Sequence, residues 1–314
     1  MPALPSVLMV FTGGTISMRI VPGRGAVPAR SGREILEQVP QLSSLAAISC
    51  EDFDRLPGPH WSPERMFALA RHLDDRLRSG SFAGAVVTHG TDTLEETAYL
   101  LDLVLETDRP VVLTGAMRTA DDPGWDGPSN LIAAVKAATG PIDPTLGVAV
   151  MMAGTLHAAR RVAKSHTESY DAFTGGDGGP GGRERIKTSR IEPCVDLITA
   201  AAGSDARFLE HAVATGAEGI VIQALGKGNV PPAMLSGVRE AVAAGVPVVV
   251  ASRCAQGATA ASYGYEGGGV TLKDAGAIFS GDLSAPKARI KLMVLLGAGA
   301  SRDAIRASFE RPAA

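Results

Sequence analysis

At 314 residues the chain is long enough for two domains of about 150 residues, each able to bury its own core. Apolar residues supply 45% of it and charged residues 20%, a composition that excludes a disordered segment. Thirty basic against thirty-three acidic residues leave a net charge of −3, and no Lys/Arg cluster is interleaved with aromatics, so a nucleic-acid footprint is excluded as well.

Apolar runs at Ser6–Phe11, Ala85–Val87, Val111–Leu113 and Val148–Met152 are short, rich in Val and bounded by Gly or Pro. Such runs predict strands buried on both faces, and they are too short to span a bilayer. The opening Met-Pro-Ala-Leu-Pro-Ser has no basic segment and leads straight into a strand, so a cytoplasmic protein without a secretory leader is expected. Ser62-Pro63-Glu64 predicts a helix start, followed by an apolar stripe at Met66, Leu69, Ala70, Leu73 and Leu77 that lasts to Gly80. Thr93-Leu94-Glu95-Glu96 has the spacing of a capping box for a helix over Leu94–Leu105, and a third helix is expected over Pro128–Ala138. Strands alternating with helices predict a parallel sheet with right-handed crossovers, hence an α/β layer architecture.

From Phe173 to Arg190 the pattern lapses into a Gly-rich stretch that cannot form a core. The expected organisation is a larger N-terminal α/β domain over 1–175, a Gly-rich linker over 176–191, and a smaller C-terminal α/β domain over 192–314. In the latter, strands are expected at Val195–Thr199, Gly219–Gln223, Pro247–Ala251 and Ala277–Phe279, with helices near Pro232–Ala243 and Pro286–Leu296. The three cysteines, Cys50, Cys194 and Cys254, are widely spaced and read as core thiols; neither a disulfide framework nor a zinc site is indicated.

Polar residues collect where the first domain's strands end. Strand one runs into Thr12-Gly13-Gly14-Thr15, the second into Thr88-His89-Gly90-Thr91-Asp92-Thr93, and the third into Thr114-Gly115-Ala116-Met117-Arg118. In an open parallel sheet these carboxyl ends share one edge, the place where ligands bind. Glycines admit a ligand close to the backbone, and helix-start amides favour an anionic group. A threonine hydroxyl there can act as a nucleophile if Asp92 and a lysine assist its proton transfer, and Lys164, roughly one helical excursion after the fourth strand, is the lysine favoured. Read alone, each has an ordinary counterpart: Thr12–Thr15 as a turn, His89 as a hydrogen-bonded structural histidine, Lys164 as a solvated side chain. Phosphate-loop, dinucleotide and serine-elbow motifs are absent, and His157 and His166 lack the spacing of a zinc helix, so metal binding is not expected.

Taken together, Thr12-Gly13-Gly14-Thr15-Ile16 and the run from His89 to Thr97 resemble the paired signatures of the bacterial-type L-asparaginase family. Leu113–Arg118, Asp126–Leu131 and Lys164 extend the resemblance; Gly226–Asn229 and Ser252–Thr259 carry it into the second domain less closely. It implies hydrolysis of L-asparagine to L-aspartate and ammonia through a threonine acyl-enzyme, without metal or organic cofactor. Thr15 is similar to the family's nucleophile, and Thr91, Asp92 and Lys164 to its second triad. The same resemblance places a small amide substrate against Gly14, Gly58, Gly90, Thr91, Asp92 and Ala116. It also implies a homodimer or homotetramer in which Asn229 is lent across the interface. Two departures stand out. Ser17–Arg30 has no tyrosine where members of the family have one, leaving Tyr263 or Tyr265 as substitutes, and Gly58 stands where many members have a carboxylate-binding serine. Glu266 is the nearest acidic residue to the position that some members fill from the neighbouring subunit. The alternatives are a glutaminase or other small-amide hydrolase, an amidotransferase subunit acting on charged transfer RNA, and a non-catalytic amino-acid sensor with the same fold.

Overall fold

The computed structural model describes residues 3–140, 147–175 and 183–310. They fall into two compact α/β units, Met1–Arg185 and Ile186–Ala314, as the strand and helix alternation predicts. The linker expected over 176–191 lies partly outside the described residues. Arg183, its first described residue, is fixed to the first unit by donating to the carbonyls of Asp102, Leu105 and Thr107.

The first unit is built on strand β1 (Ser6–Gly13), a hairpin of β2 (Met18–Val21) and β3 (Gly25–Pro28), a short helix α1 (Gly32–Glu37), β4 (Ala47–Leu56), α2 (Pro63–Ser79) and β5 (Gly84–Thr88). It continues through α3 (Leu94–Val104), β6 (Val111–Thr114), α4 (Gly127–Thr139), β7 (Ala149–Met152), β8 (Thr155–Ala158), β9 (Ala163–Lys164) and β10 (Phe173–Thr174). The main sheet has the order β4-β1-β5-β6-β7-β8, parallel except for β8. Alternation is the reason it is buried on both sides. Val7, Met9, Phe11, Val86 and Val112 pack with α1 and α4 residues such as Ile35, Leu131 and Val135, while Leu8, Val10, Val87 and Leu113 point the other way and are equally buried.

The predicted helix over 63–79 forms with Ser62 accepting from the Arg65 amide, and it stops at Gly80. The capping box at Thr93 does not form. The Thr93 hydroxyl donates instead to the Gly58 carbonyl at 2.8 Å, drawn by a loop outside its own helix. Nor does a helix lead to Lys164. The chain turns back from β7 through Ala153-Gly154, both with positive φ (47° and 77°), into antiparallel β8. Lys164 then sits in β9, paired with Phe173 of β10, a strand where the sequence pattern predicts only connection.

The second unit carries β11 (Val195–Thr199), α5 (Arg207–Ala214), β12 (Gly219–Ala224), α6 (Leu235–Ala243), β13 (Val248–Ser252), α7 (Gly269–Asp274), β14 (Ile278–Phe279), α8 (Ala285–Gly297) and α9 (Arg302–Phe309). Its sheet, β11-β12-β13-β14, is wholly parallel, with Ile220, Ile222, Val248 and Val250 packed against Met234, Leu235 and Val238. The cysteines are not core thiols: all three are free and exposed, Cys50 on edge strand β4 and the other two beside sheet strands where the chain meets solvent.

Candidate active site

The strand order decides where a site can form. From β1 the chain goes to β4 on one side and then to β5 on the other, so the connections diverge between β1 and β5. A crevice opens at such a point beyond the strands' carboxyl ends. Both threonine turns lie there, one after each strand.

Backbone contact draws the turns together. Gly14 has φ 77°, a region that favours glycine, and a Cβ built on it would lie 2.5 Å from both N and Cα of Gly90. A Cβ on Gly90 would in turn meet the Gly58 nitrogen at 2.5 Å, and one on Gly115 would meet the His89 carbonyl at 2.6 Å. Segments following β1, β4, β5 and β6 are thus packed main chain against main chain, which fixes Gly14, Gly58, Gly90 and Ala116 in one neighbourhood. The Thr12 hydroxyl adds a 2.6 Å bond to the Thr88 carbonyl, tying β1 to β5 below the turns.

Lys164 reaches this edge from the other end of the sheet's connections. Its Nζ donates to Thr91 Oγ1 at 2.9 Å and pairs with Asp92 Oδ1 at 2.7 Å, across more than seventy residues of chain. Its own amide is held by Glu95 Oε2 at 2.8 Å, so the first turn of α3 positions the lysine backbone while the preceding turn receives its head. The Lys164 side chain is largely buried and that of Asp92 is more than half exposed. A hydroxyl, a carboxylate and an ammonium therefore share one cluster, with the carboxylate open to solvent. Thr15 begins a single 3₁₀ turn, Thr15–Ser17, immediately after the Gly14–Gly90 contact, and the Ser17 amide and hydroxyl both donate to the Gly14 carbonyl.

His89 is fully buried beneath the turn. Nδ1–H donates to the Gly90 carbonyl at 2.9 Å, leaving Nε2 to accept from the Thr97 hydroxyl at 3.0 Å. Burial drives its pKa down from 6.5 to about 4, against the smaller upward pull of the Gly90 carbonyl. The imidazole is neutral, packs against Trp61 with ring centres 4.6 Å apart and planes inclined at 50°, and holds the shape of the turn.

Residues 6–192 match the family model for the asparaginase N-terminal domain, and residues 194–309 match that for the glutaminase/asparaginase C-terminal domain. The chain belongs to the asparaginase family. The resemblance carried by the two threonine motifs is borne out across both domains. The chain is 42% identical to a probable L-asparaginase of Deinococcus radiodurans, with 98% of each chain covered. It is 35% identical to an L-asparaginase of Bacillus licheniformis, covering 92% of this chain and 95% of that one. A glutamyl-tRNA(Gln) amidotransferase subunit of Methanosarcina mazei is 32% identical, covering 94% of this chain and 75% of that one.

Within this asparaginase-family chain, the other expected site residues lie in the second unit. Asn229 follows β12 and accepts from the Gly269 amide at 3.2 Å. Tyr263 and Tyr265 are exposed and stacked on each other at 5.6 Å. Among the described residues no group of three or more His, Cys, Asp or Glu could hold a metal ion.

Several supporting residues are not among the site residues expected from the sequence. Besides Glu95 and Thr93, Asp126 accepts from the amides of Met117 and Arg118. Buried Asn130 donates to the Gly115 carbonyl and Asp126, and accepts from the Ala153 amide, each at 3.1 Å. Both lie inside the Asp126–Leu131 motif, whose presence signals importance but whose spacing alone does not reveal these partners.

Proposed function

We propose that this chain hydrolyses the side-chain amide of a small amino acid, L-asparagine first among them, to the carboxylic acid and ammonia through an ester on Thr15. The observation that carries the proposal is the Lys164 ammonium bonded at once to Thr91 and Asp92 beside the Gly14–Gly90 contact. Thr15 Oγ attacks the amide carbonyl carbon, and its proton passes to the nitrogen. The C–N bond breaks and ammonia leaves with the bonding pair. Water then attacks the ester carbon as its proton passes to the departing Thr15 oxygen, with Thr91, held by the Lys164 ammonium, orienting it. The bond from the carbon to Thr15 breaks in the same step, which releases the acid and restores the Thr15 hydroxyl. The exposed carboxylate of Asp92 is suited to pair with the substrate's α-ammonium, a charge-assisted contact. Gly14, Gly58, Gly90 and Ala116 would line the substrate. Asn229 would be supplied by a neighbouring subunit of a homodimer or homotetramer, which sedimentation analysis would detect.

The test is ammonia release from L-asparagine, L-glutamine and their D-isomers by the parent chain, Thr15→Ala and Thr91→Val. Each variant is expected to lose about a hundredfold or more in rate. Full activity in either removes that hydroxyl from the mechanism. Calorimetric binding of aspartate with no ammonia from any amide would instead establish the non-catalytic sensor.

A further inference from the structure

The segment that carries Thr15 continues into the β2–β3 hairpin, whose residues 22–26 are exposed. A two-stranded ribbon with so little burial is marginal by itself and takes its order from what grips it. Two carboxylates from outside reach it. Glu34 meets Arg19 at 3.3 Å, with both side chains more than two-fifths exposed, the kind of pair that contributes little. Asp121 does more. Its Oδ2 accepts from the Ile20 amide at 2.8 Å, and its Oδ1 accepts from Arg30 at 2.8 Å, so one carboxylate grips both β2 and the segment just after β3 across about a hundred residues of chain.

Both sides of the clasp are firm. Arg30 is buried, its second nitrogen donates to Gln38, and the amides of Ala29 and Arg30 both donate to the Ser17 carbonyl. Ser17 in turn closes the 3₁₀ turn of Thr15 on the Gly14 carbonyl. On the other side, Asp121 is presented by a braced loop: Asp122 accepts from the Thr119 amide and hydroxyl, and Asp126 accepts from the amides of Met117 and Arg118. A continuous set of hydrogen bonds therefore runs from the loop after β6, through Asp121, Arg30 and Ser17, to the turn that holds Thr15.

We infer that Asp121 is a positioning residue that latches the β2–β3 hairpin to the loop after β6 and thereby holds Thr15 over the Thr91–Lys164 cluster. The inference rests on the amidohydrolase reading, in which Thr15 is the attacking group. Loss of the latch misplaces a nucleophile without touching the groups that bind the substrate in the ground state, so it lowers kcat and spares KM.

The experiment compares the parent chain with Asp121→Asn, which keeps the side chain's size if Asp121→Ala fails to fold, and with Arg19→Ala as a control on the same hairpin. Amide hydrogen exchange of the hairpin and steady-state ammonia release are both measured. The expected result for Asp121→Asn is faster exchange at Ile20, kcat lower by about tenfold or more and KM within about twofold. Exchange in β5 is unchanged, and Arg19→Ala matches the parent in kcat. Unchanged exchange at Ile20 overturns the latch. Faster exchange with parental kcat, or an equal loss of kcat in Arg19→Ala, overturns the positioning role. A parent chain that releases no ammonia marks failure of the amidohydrolase reading itself, and removes the positioning role with it.

Discussion

Acid should destabilise the first unit in a way that can be assigned to one side chain. His89 titrates near 6.5 when the chain is unfolded and near 4 when folded, because the folded ring is fully buried. Between those values the unfolded state binds a proton that the native state does not, so stability rises with pH through this window and is lost as pH falls below about 6.5. Each pH unit is worth about 1.4 kcal/mol, and the full window about 3 kcal/mol, a large share of the stability of an ordinary domain. The perturbation is His89→Asn, which removes the titrating ring; at pH 7 the variant is less stable because Thr97 loses its partner. Both tryptophans, Trp61 and Trp125, belong to the first unit, so urea unfolding followed by their fluorescence reports on it directly. Carboxylate titrations are common to both proteins and cancel in the difference. The stability gap between parent and variant should therefore shrink by about 3 kcal/mol from pH 7 to pH 4. A gap that stays constant over that range would refute the buried neutral imidazole and its place as the fixed support of the Gly90 carbonyl.

Three further perturbations follow from the site's geometry. Gly90→Ala places a methyl 2.5 Å from the Gly58 nitrogen and should cut ammonia release by about a hundredfold by parting the turns, while far-ultraviolet circular dichroism stays native. Asn130→Leu strands the Gly115 carbonyl and the Ala153 amide, and an unfolding titration should show a loss of about 2–4 kcal/mol. Lys164→Met should fold normally yet lose about a hundredfold or more in rate, since it removes the contact with Thr91; a variant that is unstable but active would make the lysine purely structural.

Much of the fold is visible in the sequence because the buried parallel strands are short Val-rich runs between helices with an apolar stripe. Ser62 and Gly80 bracket their helix as the pattern predicts. The elements that escape are those whose cause lies elsewhere in space. Strand β4 is an edge strand with alternating exposure and no continuous apolar run, and the β7–β8 hairpin turns on Ala153-Gly154 in place of the usual Asn-Gly. Thr93 has the spacing of a cap, yet its hydroxyl is claimed by Gly58, a partner thirty-five residues away. The same holds for the site. Threonine-rich turns at strand ends are legible, because the rule placing them on one edge needs only strand direction. The gripping roles of Glu95, Asn130 and Asp121 depend on loops that meet only after folding, so spacing along the chain carries no trace of them.

The proposed mechanism turns on Thr15, not the lysine-bonded Thr91, carrying the acyl group. Rapid acid quench of the parent enzyme during turnover of L-asparagine, followed by peptide mass spectrometry, would locate that group. An aspartyl adduct is expected on the peptide containing Thr15, and it should disappear in Thr15→Ala. An adduct on the peptide containing Thr91, with the Thr15 peptide unmodified, would exchange the roles of the two threonines and refute the mechanism.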